Sequence, residues 1–274
     1  MECLDWALGT YIEQRRLQLL DTSDRYKVHT MVLSIQRSKT FNRESNYSNR
    51  LLSLLPESKL QNLLIYSDRI TLPAKTNLDR TDETIERVYF PLHGIISLVN
   101  IDEDGLISEV AGVSNEGAIG IGGFLGGNIS TSQAIAQTDC IAISVPANIL
   151  RRQFARGEEL QRILLLYTQA LLTQISQNVL CSCHHTIEQR LVRWLLFYSD
   201  RLNSKTILLT QETLADLLGV RRSSLSIVAV NLRQRKLINY NRGKITLLNF
   251  NTLRQLSCRC DRLIADEYSR LLNL

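Results

Sequence analysis

The sequence predicts an α+β chain in which an antiparallel, β-rich unit is followed by a long helix and then by a smaller helical unit ending in a hairpin. Three observations predict it. Short alternating runs separated by turn signals fill the stretch from Ile70 to Val145. A stretch with helical periodicity and no proline or glycine runs from Glu158 to about Cys181. Thr210 to Leu248 then reads, in order, as a capped helix, a glycine stop, a second helix and a tight hairpin.

Composition limits what such a chain can be. Its 274 residues suffice for two domains, and 44% hydrophobic with 22% charged content excludes wholesale disorder. No apolar run is long enough to cross a bilayer, and the start, MECLDWALGT, lacks the pattern of a secretory signal. A cytoplasmic protein that does not engage a membrane is expected. The six cysteines do not form a disulfide framework pattern, so reduced thiols are expected. Charge is uneven. Residues 190–274 hold 15 Lys and Arg against 6 Asp and Glu, a balance of +9, while the rest of the chain stands at −4. A basic C-terminal third on an acidic remainder points to a polyanion partner, most often nucleic acid.

Taken in order, residues 1–48 mix a candidate helix (Trp6 to Leu20) with a polar, basic stretch and carry no motif. Leu51, Leu52, Leu54 and Leu55, then Leu60, Leu63 and Leu64, predict two short helices broken at Pro56, the second capped by Ser58. Val88 to Phe90 is a short strand before Pro91. Ile95 to Ile101 and Ile107 to Val113 alternate about an Asp104-Gly105 turn, and Ala134 to Val145 closes a barrel, jelly roll or β-roll. A glycine-dense loop lies between Gly117 and Gly127. Ala147 to Phe154 is a short helix. In the long helix, Leu160, Leu164, Tyr167 and Leu171 follow four- and three-residue steps, the spacing of a dimer seam, with a second apolar row at Leu165, Leu172, Ile175 and Val179. Ile187 to Tyr198 is a further amphipathic helix.

The segment TQETLADLLGVRRSSLSIVAVNLRQRKLINYNRGKITLL carries the chemistry. Thr210 suits an N-cap. Leu214, Ala215, Leu217 and Leu218 give the first helix a buried face, with Ala215 small enough for close approach of a second helix. Gly219 stops the helix, Val220 plugs the turn, and Leu225, Val228, Leu232 and Leu237 anchor the second helix. This is a helix-turn-helix, in which the start of the second helix enters the major groove of double-stranded DNA. Arg222, Ser223 and Ser226 are the expected base readers, because arginine bonds guanine edges bidentately and serine bonds bases or phosphates. Thr210, Gln211, Arg221 and Ser224 are expected on phosphate. So are Arg242 and Lys244, at the tip of the hairpin that forms a wing.

The runs VYFPLHGIISL, EVAGVSNEGAIG, IEQRLVRWLL and LTQETLADLLGVRRSSL, set around the long helix, resemble the CRP/FNR family (cyclic-AMP receptor protein / fumarate-nitrate regulator). The resemblance covers about Asn49 to Leu274. It implies four parts: an N-terminal extension of unknown role (1–48), a cyclic-nucleotide-binding-like jelly roll acting as a sensor domain (49–156), a dimerisation helix (157–185) and a winged helix-turn-helix DNA-binding domain (186–274). It further implies a homodimer on a two-fold DNA site, a sensory role for the roll and, at promoters, RNA polymerase as a partner.

The effector stays open. Relatives that bind cyclic nucleotide offer it a glutamate, an arginine and a serine. Aligned on Thr138 to Ser144, these positions hold Gly120, Ser130 and Thr131, and no Lys or Arg lies between Gly105 and Pro146. A buried phosphate without a cation is poorly compensated, so control by cyclic nucleotide is not expected. The glycines then read as turn residues. Iron–sulfur relatives use an N-terminal cysteine group, whereas here that arm holds only Cys3. Cys181, Cys183, His184, Cys258 and Cys260 are candidate metal or redox ligands whose spacing matches no common zinc site, so no metal and no cofactor is assigned. His93 in the roll is a minor candidate for haem. Neither a phosphate-binding loop, a GxSxG elbow nor an HExxH motif is present, so no enzyme is expected.

Overall fold

Residues 49–273 are described in a computed structural model. The helix expected over Trp6 to Leu20, and Cys3, lie outside the described residues. The first elements are α1 (Arg50–Ser53) and α2 (Glu57–Leu64), parted at Pro56 as expected. Pro56 itself stands at the N-cap of α2, where a missing N–H costs nothing. Ser58, expected as the cap, is inside the helix. Asn49 is fully buried and uses its whole amide. Its Oδ1 accepts from Leu52 N at 3.1 Å, and its Nδ2 donates to the carbonyls of Pro91 and Gly117 at 2.9 and 3.0 Å. Complete pairing removes the usual penalty for burying an amide and ties the chain's entry to the sheets.

Those sheets are antiparallel. One has the order β1 (Asp68–Leu72), β7 (Cys140–Pro146), β3 (Arg87–His93). The other runs β2 (Asn77–Asp79), β6 (Gln133–Ala136), β4 (Ile96–Ile101), β5 (Ile107–Val113). The strand expected to stop before Pro91 continues to His93, because β3 is an edge strand and its register shifts between Pro91 and His93. Proline is tolerated at such an edge. The Asp104-Gly105 turn forms as read. Asp102 Oδ1 accepts from the N–H groups of Asp104 and Leu106 at 3.0 and 2.7 Å, closing the β4–β5 hairpin. A short helix, α3 (Gly122–Leu125), occupies the glycine-dense loop.

Beyond the roll come α4 (Ala147–Phe154) and the long α5 (Glu159–His184). Here the structure corrects the expected dimer seam. Leu164, Tyr167 and Leu171 are buried inside the chain, in one core with the roll, and Leu160 packs on the same core. The unforeseen partner is the C-terminal helix α10 (Cys260–Leu272), which folds back on α5 and contributes Ile264, Tyr268 and Leu272 to that core. The row left facing outward is the second one, with Leu165, Leu172 and Val179 exposed. Periodicity identified both apolar faces of α5, but not which one the chain itself covers.

A second core holds α6 (Ile187–Leu202), β8 (Thr206–Leu208), α7 (Gln211–Leu218), α8 (Arg222–Gln234), β9 (Ile238–Asn241), β10 (Lys244–Leu247) and α9 (Phe250–Leu256). The order β8-β10-β9 makes a small sheet beside the helices. Ile95 and Val99 of the roll belong to this core too, so the two units share packing. Among the described residues, no helix is long and apolar enough to cross a membrane.

One buried carboxyl of the roll sets a pH dependence. Burial, and after it the charge of Glu83, raises Asp79 from 3.8 to about 6. Folding therefore tightens proton binding there. This contribution to stability is complete below pH 3.8 and is lost as pH rises through about 6. Asp79→Asn removes it. The urea midpoint of the variant, relative to that of the parent chain, is expected to rise across this window, and a constant difference would show that Asp79 does not titrate as described.

Candidate nucleic-acid interface

The helix-turn-helix is built by local signals that act as read. Thr210 Oγ1 accepts from Thr213 N at 3.1 Å and caps α7. Leu214, Ala215, Leu217 and Leu218 are buried beneath it. Gly219 ends the helix at φ +60°, with its N–H on Asp216 O at 2.9 Å and the Val220 N–H on Ala215 O at 3.0 Å. That pair of bonds is a Schellman closure, which needs a residue in the left-handed region. Leu225, Ala229 and Leu232 then seat α8, leaving Arg221, Arg222 and Ser223 exposed at its start and Ser224 half-buried.

Two expected DNA contacts are used internally. The half-buried Ser226 donates its hydroxyl to Gln211 Oε1 at 2.9 Å, bracing α8 against α7. Ser226 is therefore not a free base reader here. The exposed face of α8 instead continues from Ser223 to Ile227, one helical turn on and 72% exposed, and then to Val230. Sequence reading missed Ile227 because only polar and basic residues were considered as DNA contacts. Its spacing of two from Leu225, which places it on another face, was the available signal.

The wing is a two-residue hairpin in which Asn241 pairs with Lys244. Arg242 and Gly243 at its tip have φ of +46° and +78°, the left-handed pair of a type I′ turn. Arg242 and Lys244 are exposed. Exposed Arg221 and Arg222 stand at the start of α8 and exposed Arg242 and Lys244 on the wing, while Arg233 and Lys236 are exposed at the far end of α8, where Arg235 is engaged by Glu188 at 3.0 Å.

In the roll, the glycine-dense loop is explained by packing. Gly117 lies under α5 so closely that an added Cβ would stand 2.7 Å from Tyr167 Oη, the group that donates to Ala118 O at 2.7 Å. Gly120 has φ +86°, and a Cβ there would stand 3.6 Å from Asp79 Oδ2. The guanidinium of Arg151, on α4, reaches the loop but is bonded to Gly123 O at 2.9–3.0 Å and to Asn128. His93 is exposed at the end of β3.

The structure gathers part of the candidate ligand set and changes its membership. Cys181, Cys258 and Cys260 come together, and His185 joins them. Cys183 and His184 are exposed at the end of α5. On a helix, Cys181 and His185 are one turn apart on the same face, which Cys183 and His184 are not. That period was the signal in the sequence. Cys181 and Cys258 share a hydrogen bond, their Sγ atoms 3.6 Å apart, that lowers the Cys181 thiol and raises that of Cys258.

A capped helix, a Schellman turn, a cationic helix start and a cationic wing define a DNA-binding transcription regulator. Residues 189–256 match the family described as Crp-like helix-turn-helix domain, and residues 69–156 match the cyclic nucleotide-binding domain. The chain belongs to the CRP/FNR family of transcription regulators, and is not an enzyme. The global nitrogen regulator of Nostoc sp. is 25% identical over 171 residues, covering 59% of this chain and 77% of that protein. The one of Synechococcus elongatus is 25% identical over 173 residues, covering 60% and 78%. Among solved structures, FixK2 from Bradyrhizobium japonicum has the same fold with a TM-score of 0.61 at 19% identity, over 70% of this chain and 98% of that one. The c-di-GMP-responsive regulator CLP from Xanthomonas campestris matches with a TM-score of 0.61 at 16% identity, over 71% of this chain and all of that one.

Gly219→Ala tests the turn that sets the two helices. The added methyl would enter the left-handed region and stand 3.2 Å from Ser108 Oγ. A loss of about 1–2 kcal/mol is expected in urea unfolding, and an unchanged midpoint would remove Gly219 from this role.

Proposed function

We propose that this regulator acts as a homodimer on a two-fold DNA site without control by cyclic nucleotide. The observation that carries the DNA-reading part is the exposed run Arg221, Arg222, Ser223 at the start of a capped helix beside a cationic hairpin. Arg222 and Ser223 read base edges, and Ile227 takes the place assigned to Ser226, suited to contact with a thymine methyl group. Arg221, Ser224, Arg242 and Lys244 hold phosphates, so affinity falls steeply with salt. Thr210 and Gln211 support these helices through their side chains and bring their exposed edges near the backbone of the duplex.

Pairing runs along Leu165, Thr168, Leu172, Ile175 and Val179. These residues alternate steps of three and four, the spacing of a coiled-coil seam, and three of them are exposed apolar residues. Two subunits paired this way present two reading heads to successive major grooves about one turn apart. Independence from cyclic nucleotide is supported by Gly120, Ser130 and Thr131 at the positions where relatives place their ligands, and by the Asp79 carboxyl beside Gly120, which would oppose a phosphate. The same reading puts the protein in the cytoplasm, at promoters with RNA polymerase.

Selection of sites from random duplex DNA by purified, ligand-free protein is expected to recover a two-fold sequence. Recovery of no sequence, or only after cyclic nucleotide is added, would overturn this reading. On the recovered site, Arg222→Ala is expected to lower discrimination by about 1–3 kcal/mol; equal losses on selected and random DNA would make it a phosphate contact instead. Leu172→Glu is expected to give monomers in sedimentation and to bind the two-fold site roughly 100-fold more weakly. A dimeric Leu172→Glu chain would move the seam elsewhere.

A further inference from the structure

Cys181 and His185 end the long helix, while Cys258 and Cys260 flank the start of the C-terminal helix, more than seventy residues later in the chain. The fold brings their three Sγ atoms and one imidazole nitrogen within 4.8 Å of one another. Cys181 Sγ is 3.6 Å from Cys258 Sγ, and Cys260 Sγ is 3.4 Å from His185 Nδ1. We propose that these four side chains form a tetrahedral binding site for one zinc ion.

The distances suit a single ion. With Zn–S bonds of about 2.3 Å, the ligand atoms of a tetrahedron stand roughly 3.8 Å apart, so the four groups need only small adjustments. Three thiolates and an imidazole are a soft donor set that favours zinc over magnesium or calcium, which prefer oxygen. Ligand atoms this close leave no room between them for the several irons and sulfides of a cluster. The surroundings fit as well. Three of the four residues are buried, which keeps water from the ion. Gln177 Nε2 donates to Cys260 Sγ at 3.2 Å, the kind of outer bond that orients a ligand. Three thiolates leave a zinc centre with net negative charge. Arg193, on α6, is a cation whose Nε is buried with no hydrogen-bond partner among the described residues.

The consequence is mechanical. The ion fastens the start of α10 to the joint between α5 and α6, where the long helix hands over to the DNA-reading unit. Cys183 and His184 take no part, being exposed.

The test titrates the full-length, reduced and metal-free chain with cobalt(II) as a spectroscopic stand-in for zinc. Saturation at one cobalt per chain is expected, with thiolate-to-cobalt charge-transfer absorption and the intense visible bands of a tetrahedral ion, all displaced by zinc. Cys183→Ser is expected to keep these bands. Cys258→Ser is expected to weaken binding by more than about 100-fold, beyond the loss usual for an outer-shell change, and to reduce the charge-transfer intensity. Absence of thiolate–cobalt bands in the parent chain would overturn the proposal without reference to any variant. Bands lost with Cys183 or unaffected by loss of Cys258 would overturn it too, as would a chain that takes up no cobalt but forms a Cys181–Cys258 disulfide on mild oxidation.

Discussion

At the contact between the roll and the DNA-reading unit, which also holds the Arg201–Glu116 ion pair at 3.1 Å, the central constraint is one enclosed carboxyl group, that of Glu109 on β5. Part of its stem stays exposed, but the carboxyl itself is surrounded. One oxygen accepts from Ser97 of the roll, and the other accepts from Trp194 Nε1 of α6 at 2.9 Å. Tyr198 stacks on Trp194 at 3.5 Å and places its hydroxyl 3.3 Å from Ser97. Burial raises the pKa of Glu109, and these hydrogen bonds work against that rise. An enclosed carboxyl is tolerated only while its donors stay in place. Separating α6 from the roll would strip Glu109 of the indole, so the two units are held in one relative placement by a bond that neither can replace alone.

The long helix is registered on the same strand by amides rather than by apolar packing alone. Gln174 Nε2 donates to Gly112 O and Asn178 Nδ2 to Val110 O, both at 2.9 Å. Tyr268 of the C-terminal helix then donates to Gln174 Oε1 at 2.9 Å, and its ring meets Tyr167 edge-on. Polar bonds of fixed length specify a sliding position that leucines would leave degenerate. β5 therefore carries α5 through its carbonyls and α6 through Glu109, and α7 rests against it as well. A change in this strand would be felt at once by the long helix and by the helix-turn-helix.

Much of this was legible in the sequence, because the signals were local. The cap at Thr210, the stop at Gly219 and the turn at Asp104-Gly105 act within a few residues, and each formed as expected. What was not legible depends on partners distant in the chain. The two apolar rows of α5 are equivalent by periodicity. The docking of the roll together with the return of α10, which no sequence signal tied to α5, decides that Leu164, Tyr167 and Leu171 face inward and Leu165, Leu172 and Val179 outward. Ser226 looked free because its acceptor, Gln211, lies fifteen residues earlier on another helix. The cysteine group was misassigned for a different reason. Cys181, Cys258 and Cys260 were in the expected set, but Cys183 and His184 stood where helical spacing from Cys181, which was available, selects His185.

These connections converge on the joint between α5 and α6. Only His185 and Thr186 separate the helices, both extended, and Thr186 starts α6 with a reciprocal capping box to Gln189. A joint so short has few backbone torsions to vary, and its capping box fixes some of them. The remaining freedom is restrained by the Glu109–Trp194 bond to the roll. Arg190, by donating to the carbonyl of Leu218 at the end of α7, couples the reading helices to α6. The cysteine cluster sits at this same joint, with His185 as one of its members. An ion there would act on the angle between the long helix and the helix-turn-helix. In the proposed dimer, whose two recognition helices would stand one turn apart, that angle would decide whether both can enter the groove together. A ligand placed at the joint would act on that angle directly, whereas one held in the glycine-dense loop would act through α5, against which Gly117 and Ala118 bear by way of Tyr167.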